Sequence, residues 1–373
     1  MSTSILLVGI GGYGANYTHE LIDNAALYDA HIAGVVDPFA KTARDYERLA
    51  AMNVPFYNTV EEFYAEKTAE LACIATPIQF HAPQAIYCME HGSHVLCEKP
   101  ASATYELAYS MKQAAERTGK KLAIGFQWCY DRAMMALKKD FDSGLLGKPI
   151  SLKCIVLWPR DRAYYTRGLG WAGKKYDRNG DAIFDSVASN ATAHYLENML
   201  WLTGKGFAGT DIADMDVDIR RANPIETFDT AILKGTLENG AKFFYTATHA
   251  GGNAFVQDPH FVYTFENAVV TFGKKGERNQ WLIAHFNDGT QKIYGLSNRS
   301  NCADKLPDML DWINGKLDAI PCPIDAALRH AKAMQMVFEK QAEATVMQGY
   351  EDNGFMTVDG LAEELISAFD NAF

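Results

Sequence analysis

The sequence predicts an α/β protein: a doubly wound parallel sheet at the N-terminus, then an α+β unit with an open, mainly antiparallel sheet. Three observations lead there. Short apolar runs alternate with helical stretches over the first third of the chain, the pattern of parallel strands joined by crossover helices. Beyond about Gly125 the rhythm changes to strand after strand with short turns. Within that second part Asn239-Gly240 separates two strand-like runs, a strong hairpin signal.

Ile5 to Val8 is apolar at every position, as a strand covered by helices on both faces must be. Ile32 to Val36, Leu71 to Ala75, His94 to Cys97 and Lys121 to Gly125 read the same way. Helices are expected between them, near Ala15 to Asp23, Lys41 to Ala51, Ala82 to His91 and Ala103 to Thr118. A helix near Ala133 to Asp142 stops at Gly144 and Gly147. A strand from Pro149 to Trp158, a polar loop to about Gly180 and a helix from about Ser189 to Leu202 follow. Ala231 to Glu238 is expected to pair with Ala241 to His249, and Phe261 to Glu266 with Ala268 to Phe272 across Asn267. A helix from about Asp325 to Met347 and a short C-terminal helix close the chain. The expected domains are residues 1–125 and 126–373.

A chain of 373 residues can bury two separate cores. Its 48% hydrophobic and 22% charged content is that of a globular protein rather than a disordered one. A net charge of -11 argues against a nucleic-acid partner, which needs a basic face, though a local basic pocket for a dinucleotide stays open. The seven cysteines are odd in number and show no C-x-x-C spacing, so neither a disulfide framework nor a metal site is expected. The start, Met1-Ser2-Thr3-Ser4, lacks the charged flank of a signal peptide, and no apolar run is long enough to span a bilayer. A cytoplasmic protein without a membrane partner is expected.

Gly9-Ile10-Gly11-Gly12-Tyr13-Gly14 fits G-x-G-x-x-G. Alone that match is weak; here it follows a strand and opens a helix. Gly9 would make the tight turn, Gly11 would let a pyrophosphate touch the backbone, and Gly14 would allow close helix–strand packing. The helix start, with Gly12 and Tyr13, would offer unpaired N–H groups to phosphates. Asp37 ends the second strand, where a carboxylate can accept hydrogen bonds from the adenosine ribose and repel the extra phosphate of NADP. NAD is therefore the expected cofactor, and Lys41 and Arg44 nearby leave NADP as the less expected one. The competing reading is a glycine-rich turn with an acidic surface residue.

Two further segments complete a set: Ala75-Thr76-Pro77 with His81 just beyond, and Cys97-Glu98-Lys99-Pro100 at a strand end. With the glycine loop and Asp37, the chain resembles the Gfo/Idh/MocA family of sugar and inositol dehydrogenases, most strongly over its first 130 residues. The resemblance implies a Rossmann domain whose Ala75, Thr76, Pro77 and His81 lie along the cofactor, with Glu98 on the nicotinamide side. It implies that Lys99 stands beside the nicotinamide and the reacting hydroxyl. Removing a hydride from a carbinol carbon leaves a proton on its oxygen, and a partly desolvated lysine near a cation can accept one. Outside this context, a lysine before proline is a solvated loop charge, and a histidine at a helix start is satisfied by backbone.

The family's aspartate and histidine, four residues apart on a helix, match Asn190 and His194, registered by the ending Trp201 to Gly204. Residues so spaced share a helix face, so both are expected to face the substrate. An amide cannot take a proton or stabilise an imidazolium by charge, so Asp185 or Glu197 would have to supply the carboxylate. The alternative is a structural histidine. Trp128 and Tyr130 leave the first sheet at its carboxyl side and are expected to line the substrate pocket. In the loop from Arg160 to Asp181, Tyr164, Tyr165 and Trp171 can stack on a sugar ring, and Arg160 and Arg167 can pair with its carboxylate or phosphate. A subunit contact would use the same residue types. The resemblance implies a homodimer or homotetramer, and the free face of the second sheet is expected to pack on another subunit, since an exposed apolar sheet invites association. The expected function is hydride transfer between NAD(H) and a hydroxyl or carbonyl carbon of a sugar, sugar acid or cyclic polyol. A redox-neutral NAD-dependent glycoside hydrolase and a non-catalytic sensor of NAD and sugar are the alternatives.

Overall fold

The computed structural model describes residues 2–167, 170–274, 277–296 and 302–373. Two compact units emerge: residues 1–130 with 299–328, and residues 131–298 with 329–373. The sequence reading drew one division, at 125/126. In the structure a stretch near residue 300 returns to the first unit.

The first unit is built on six parallel strands: β1 (Thr3–Val8), β2 (Ala30–Val36), β3 (Phe56–Tyr57), β4 (Leu71–Ile74), β5 (His94–Cys97) and β6 (Leu122–Ile124). Their spatial order is β3-β2-β1-β4-β5-β6. The order reverses between β1 and β4, and at such a switch point the strand ends diverge and leave a crevice. Ile5, Leu6, Leu7 and Val8 of β1 are all buried, as a strand covered on both faces requires. The helices Gly14–Asn24, His81–Glu90 and Tyr105–Thr118 lie close to their expected positions. Thr104 caps the last by accepting from Leu107 N–H, and Gly119 ends it in the left-handed region at φ 68. Among the features not read from the sequence are the two-residue β3, the helix Val60–Glu66, capped by Thr59, and the helix Cys302–Ile313. Strand β3 and the helix Val60–Glu66 are too short to show a period.

The second unit holds, among the described residues, a nine-stranded sheet. Its strands are β7 (Pro149–Leu157), β8 (Ile212–Arg221), β9 (Thr230–Leu237), β10 (Lys242–Thr248), β11 (Gln257–Phe265), β12 (Ala268–Lys274), β13 (Glu277–Phe286), β14 (Gln291–Leu296) and β15 (Thr345–Val346). They run in the order β14-β13-β12-β11-β7-β10-β9-β8-β15. The sheet is mainly antiparallel, with parallel pairings of β7 with β10 and of β8 with β15. The expected β9–β10 hairpin forms around Gly240, which takes φ +88. Strand β10 is apolar at successive positions because both faces are covered. Tyr245 meets Thr192 on one side, and Phe244 packs with Leu361, Leu365 and Phe369 on the other. The C-terminal helix Leu361–Asp370 thus covers part of the sheet face that the sequence reading left free. Ile150 and Ile293 stay exposed.

Gly14 opens its helix where a β-carbon would stand 2.1 Å from Gly9 O. Gly14→Ala is therefore expected to destabilise the first unit by about 1–3 kcal/mol through overpacking. Thermal denaturation measures it, and an unchanged melting temperature would contradict this account of the turn.

Candidate functional site

In the first unit, the β1 and β4 carboxyl ends bring two loops together. Gly9 N–H donates to Val36 O at 2.8 Å and Ala75 N–H to Val8 O at 2.8 Å. Gly9 sits at φ +81, and a β-carbon there would press on Ala75 and Thr76 at 3.0 Å. The demands on Gly11 and Gly12 differ: both are exposed, and an added β-carbon would meet nothing within 4 Å. The fold's own packing therefore does not require glycine at 11. The helix that follows has no side-chain cap; Gly14 N–H is taken up by Gly11 O at 2.9 Å and Asn16 N–H by Tyr13 O at 2.9 Å. Open space over Gly11 and Gly12 at a helix start is what a dinucleotide pyrophosphate needs, and these residues fit NAD.

Asp37 is half-buried beside this cradle. Its Oδ2 accepts from Ile10 N–H at 3.0 Å and its Oδ1 from Phe39 N–H at 2.8 Å. Each oxygen keeps acceptor capacity for a ribose hydroxyl. Thr76 donates through Oγ1 to Gln84 Oε1 at 2.7 Å. His81 is 1% exposed, and its two ring nitrogens lie 2.8 Å from the carbonyl oxygens of Pro100 and Thr76. Burial lowers its pKa, while those two carbonyls work the other way. Both ring nitrogens are engaged by backbone, so His81 ties the β4 loop to the β5 loop.

Beside Lys99 lies a buried charge pair that the sequence reading missed. Glu98 is 6% exposed and Lys305 is 0% exposed at the side chain; Lys305 Nζ donates to Glu98 Oε1. Tyr17 donates to the same oxygen at 2.7 Å, and Lys305 also reaches Tyr13 Oη at 2.9 Å. The ammonium stands 4.4 Å from the Tyr13 ring centre and 5.3 Å from that of Tyr17. Burial pulls the Lys305 pKa down, but the Glu98 carboxylate and Tyr13 outweigh it and hold it above the ordinary lysine range. Burial, then the Glu98 charge, raises the Tyr17 phenol well above its usual value, so it stays a donor. Gly125 admits the carboxylate, since a β-carbon there would lie 2.6 Å from Glu98 Oε1. Glu98 Oε2 in turn accepts from Lys99 N–H at 3.3 Å. Lys99 itself is half-buried. The one sequence signal for Lys305 is a lysine among Leu306, Met309 and Leu310, all buried, in the helix Cys302–Ile313.

Trp128 and Tyr130, expected to line a pocket, are 2% and 0% exposed. Tyr130 donates to Ile124 O at 3.1 Å, the bond of a core tyrosine.

In the second unit, the expected continuous helix from Ser189 to Leu202 is broken. A wide π-type turn spans Val187–Ala191, Thr192 leaves helical geometry at φ -115 and ψ 13, and an α-helix runs over Ala193–Leu202. Ser186 and Ser189 cap the turn reciprocally, and Thr192 Oγ1 donates to Val187 O at 2.5 Å. Asn190 and His194 therefore lie on two helical pieces, and the shared-face argument from a four-residue spacing does not apply. Both are 9% exposed. Asp185 does fold back: its Oδ1 accepts from Asn190 Nδ2 at 2.7 Å, and its Oδ2 from Gly173 N–H at 2.7 Å. A carboxylate thus adjoins the amide at 190. Glu197 is buried at 1%. Trp158 packs edge-on against Tyr195, with ring centres 5.8 Å apart. Arg160, Tyr164, Arg167 and Trp171 gather in one stack: Arg160 lies over Tyr164 at 4.9 Å, and Arg167 over Tyr164 at 3.8 Å and Trp171 at 5.2 Å.

Residues 3–126 match the model of an oxidoreductase family with an NAD-binding Rossmann fold, Gfo/Idh/MocA. The N-terminal domain is thus similar to the NAD-binding domain of the Gfo/Idh/MocA oxidoreductases. Inositol 2-dehydrogenase of Burkholderia cenocepacia is 25% identical over 213 residues, which is 57% of this chain and 58% of that enzyme. The chain thus matches less than two thirds of the length of such curated relatives. Among solved structures, the WlbA dehydrogenase from Bordetella pertussis, in complex with NADH and UDP-GlcNAcA, superposes with TM-score 0.75 at 18% identity. That match covers 92% of this chain and 97% of that one. An oxidoreductase from Agrobacterium radiobacter, in complex with NAD+, L-tartaric acid and magnesium, gives TM-score 0.73 at 16% identity over 92% and 97% of the two chains. The likeness to these structures extends the common fold through both units. Among the described residues, no helix is long and apolar enough to cross a membrane.

Two expectations follow. Lys305→Met leaves the Glu98 carboxylate buried without its cation, which costs about 3–5 kcal/mol. The folded variant then gains by taking up a proton at that carboxyl, so its loss of melting temperature relative to wild type shrinks as the solution is acidified. In wild type, the raised Lys305 value means its contribution is complete below the ordinary lysine range and withdraws only in strong alkali. Thermal melts of both proteins from acid to neutral pH check the sign. Second, Gly11→Val folds with near-normal stability but binds NAD more weakly by at least about tenfold, read by calorimetric titration.

Proposed function

We propose that this protein transfers a hydride between NAD(H) and a CH–OH carbon of a hydroxylated small molecule such as a sugar, sugar acid or cyclic polyol. The observation that carries the reading is the open glycine cradle at the switch point, in one unit with Lys99 on a buried, charge-paired support. NAD, when bound, supplies a nicotinamide ring able to accept or return a hydride. Gly9, Gly11, Gly12, Tyr13 and Gly14 would hold its phosphates, Asp37 its adenosine ribose, and Ala75, Thr76 and Pro77 the flank of the site. Lys99 Nζ takes the proton from the substrate hydroxyl in oxidation and gives it to the carbonyl in reduction. His194, with Asn190 beside Asp185, orients the hydroxyls.

Asp37 supports NAD over NADP, because its carboxylate repels a 2′-phosphate. The exposed Lys41 and Arg44 stand a few residues on, and Arg44 pairs with Asp45 at 3.1 Å. A cytoplasmic homo-oligomer fits an acidic chain with exposed Ile150 and Ile293 on its second sheet.

Purified protein with NAD and a panel of inositols, aldoses and uronic acids is expected to form NADH with at least one member. Lys99→Ala is expected to lower that rate by about 10²–10⁴-fold while NAD still binds. Binding of NAD without a spectral change on any member would turn the reading toward the sensor, and glycosidic product without such a change toward the hydrolase.

A further inference from the structure

The arginine stack of the second unit is more specific than a general sugar pocket. Arg160 and Arg167 have no carboxylate within ion-pair distance among the described residues, although the chain carries eleven more acidic than basic groups. Aromatic faces hold them instead: Trp158 and Tyr164 under Arg160, Tyr164 and Trp171 under Arg167. A stacked guanidinium keeps its N–H edge available and has its fork already oriented. Arg160 Nε is buried without a hydrogen-bond acceptor.

A second, independent observation lies beneath. His249 is 2% exposed, and its Nδ1 lies 2.7 Å from Trp158 O. A carbonyl can only accept, so Nδ1 carries the proton. Burial, and then the Arg160 charge, press the ring's pKa down to about 3, so it is neutral in use. Its Nε2 is then a bare lone pair, buried and unpaired, and the hydroxyl of Tyr165, whose ring packs on Tyr164 at 5.1 Å, is also buried and unpaired. Buried polar atoms without partners are rare in a finished fold. The carboxylates that reach these groups are already engaged. Asp185 serves Asn190 and Gly173, while Asp229 accepts from the backbone of Ala222 and Asn223 and from Thr230.

We infer that this cluster is the recognition site for the anionic group of a hydroxylated ligand. The guanidiniums of Arg160 and Arg167 hold the oxyanion, and His249 Nε2 accepts from a hydroxyl close to it. The substrate class is thereby narrowed to acidic polyols: sugar acids or sugar phosphates. Asp185 is the link to the proposed reaction, since its charge acts on Tyr164 and its Oδ1 holds Asn190. The inference rests on the dehydrogenase reading for what happens to the ligand, not for its binding.

Calorimetric titration of the NAD-saturated protein tests it, with D-glucuronate, D-glucose 6-phosphate and D-glucose as probes at low and high salt. NADH formation is followed in parallel. The expected result is that at least one anion binds about tenfold or more tightly than glucose, and more weakly at high salt. Arg160→Met and Arg167→Met should each lose about tenfold or more of that affinity, the scale of one charge-assisted hydrogen bond. Arg167 is exposed, so its variant tests the site without disturbing the core. The glucuronate and phosphate arms distinguish a carboxylate ligand from a phosphate one. Anion binding without NADH formation supports the site while removing support from the dehydrogenase reading. Glucose bound as tightly as the anions, with both arginine variants unaffected, overturns the inference and leaves the dehydrogenase reading standing. Binding of none of the probes, with the variants instead dissociating an oligomer, overturns it in favour of a subunit contact.

Discussion

The first unit depends on one buried ion pair. Glu98 immediately precedes Lys99, and its carboxylate must lie inside the unit, because Gly125 leaves room for it there and Tyr17 donates to it. A lone carboxylate in that position would be costly. Lys305 supplies the opposing charge from a helix 207 residues away along the chain. Two phenol rings shield the ammonium, and the second oxygen of Glu98 accepts from the Lys99 amide. The backbone of the motif is thus anchored from below by charge. His81 anchors it from the side, between the carbonyls of Thr76 and Pro100.

This arrangement gives the return of residues 299–328 to the first unit a physical purpose. The Rossmann pattern of strands and helices can form without them, but its Glu98 charge would then have no counter-ion. Ile124 N–H also donates to Cys322 O at 3.0 Å, so the same returning stretch extends the bonding at the edge of the sheet. The second unit answers a similar demand differently. At Asn190, Asp185 turns back to place its carboxylate against the amide, and the wide turn at Val187–Ala191 makes the approach. A few residues on, guanidiniums without acidic partners rest on aromatic rings. In both units the decisive groups are charges whose contacts come from other parts of the chain.

The legible parts of the fold were those with a local physical signature. Strand β1, the glycine loop and the helix beyond it announce themselves because turn geometry, close packing and burial each restrict the residue at a fixed offset. The β9–β10 hairpin is legible for the same reason, since Gly240 must adopt a positive φ. The two-residue β3 was not, because two residues carry no period. The helix through Asn190 and His194 was misread because side-chain capping by Ser186 and Ser189 outweighed a sequence that otherwise continues a helix. The free face of the second sheet was partly misread as well, since Phe369 and Leu365 reach it only once the chain has closed on itself.

By itself the sequence determined the parallel N-terminal sheet, the glycine turn that opens the first helix, and Asp37 at the second strand end. These rest on short-range rules linking residue type to backbone conformation, which a linear string displays. The tertiary structure alone decided that Glu98 is neutralised by Lys305, that both ring nitrogens of His81 meet backbone carbonyls, that Asp185 stands in contact with Asn190, and that His249 offers a buried acceptor beneath Arg160. Electrostatic and hydrogen-bond pairing acts through space and is blind to separation along the chain, so only the folded chain could show which groups meet.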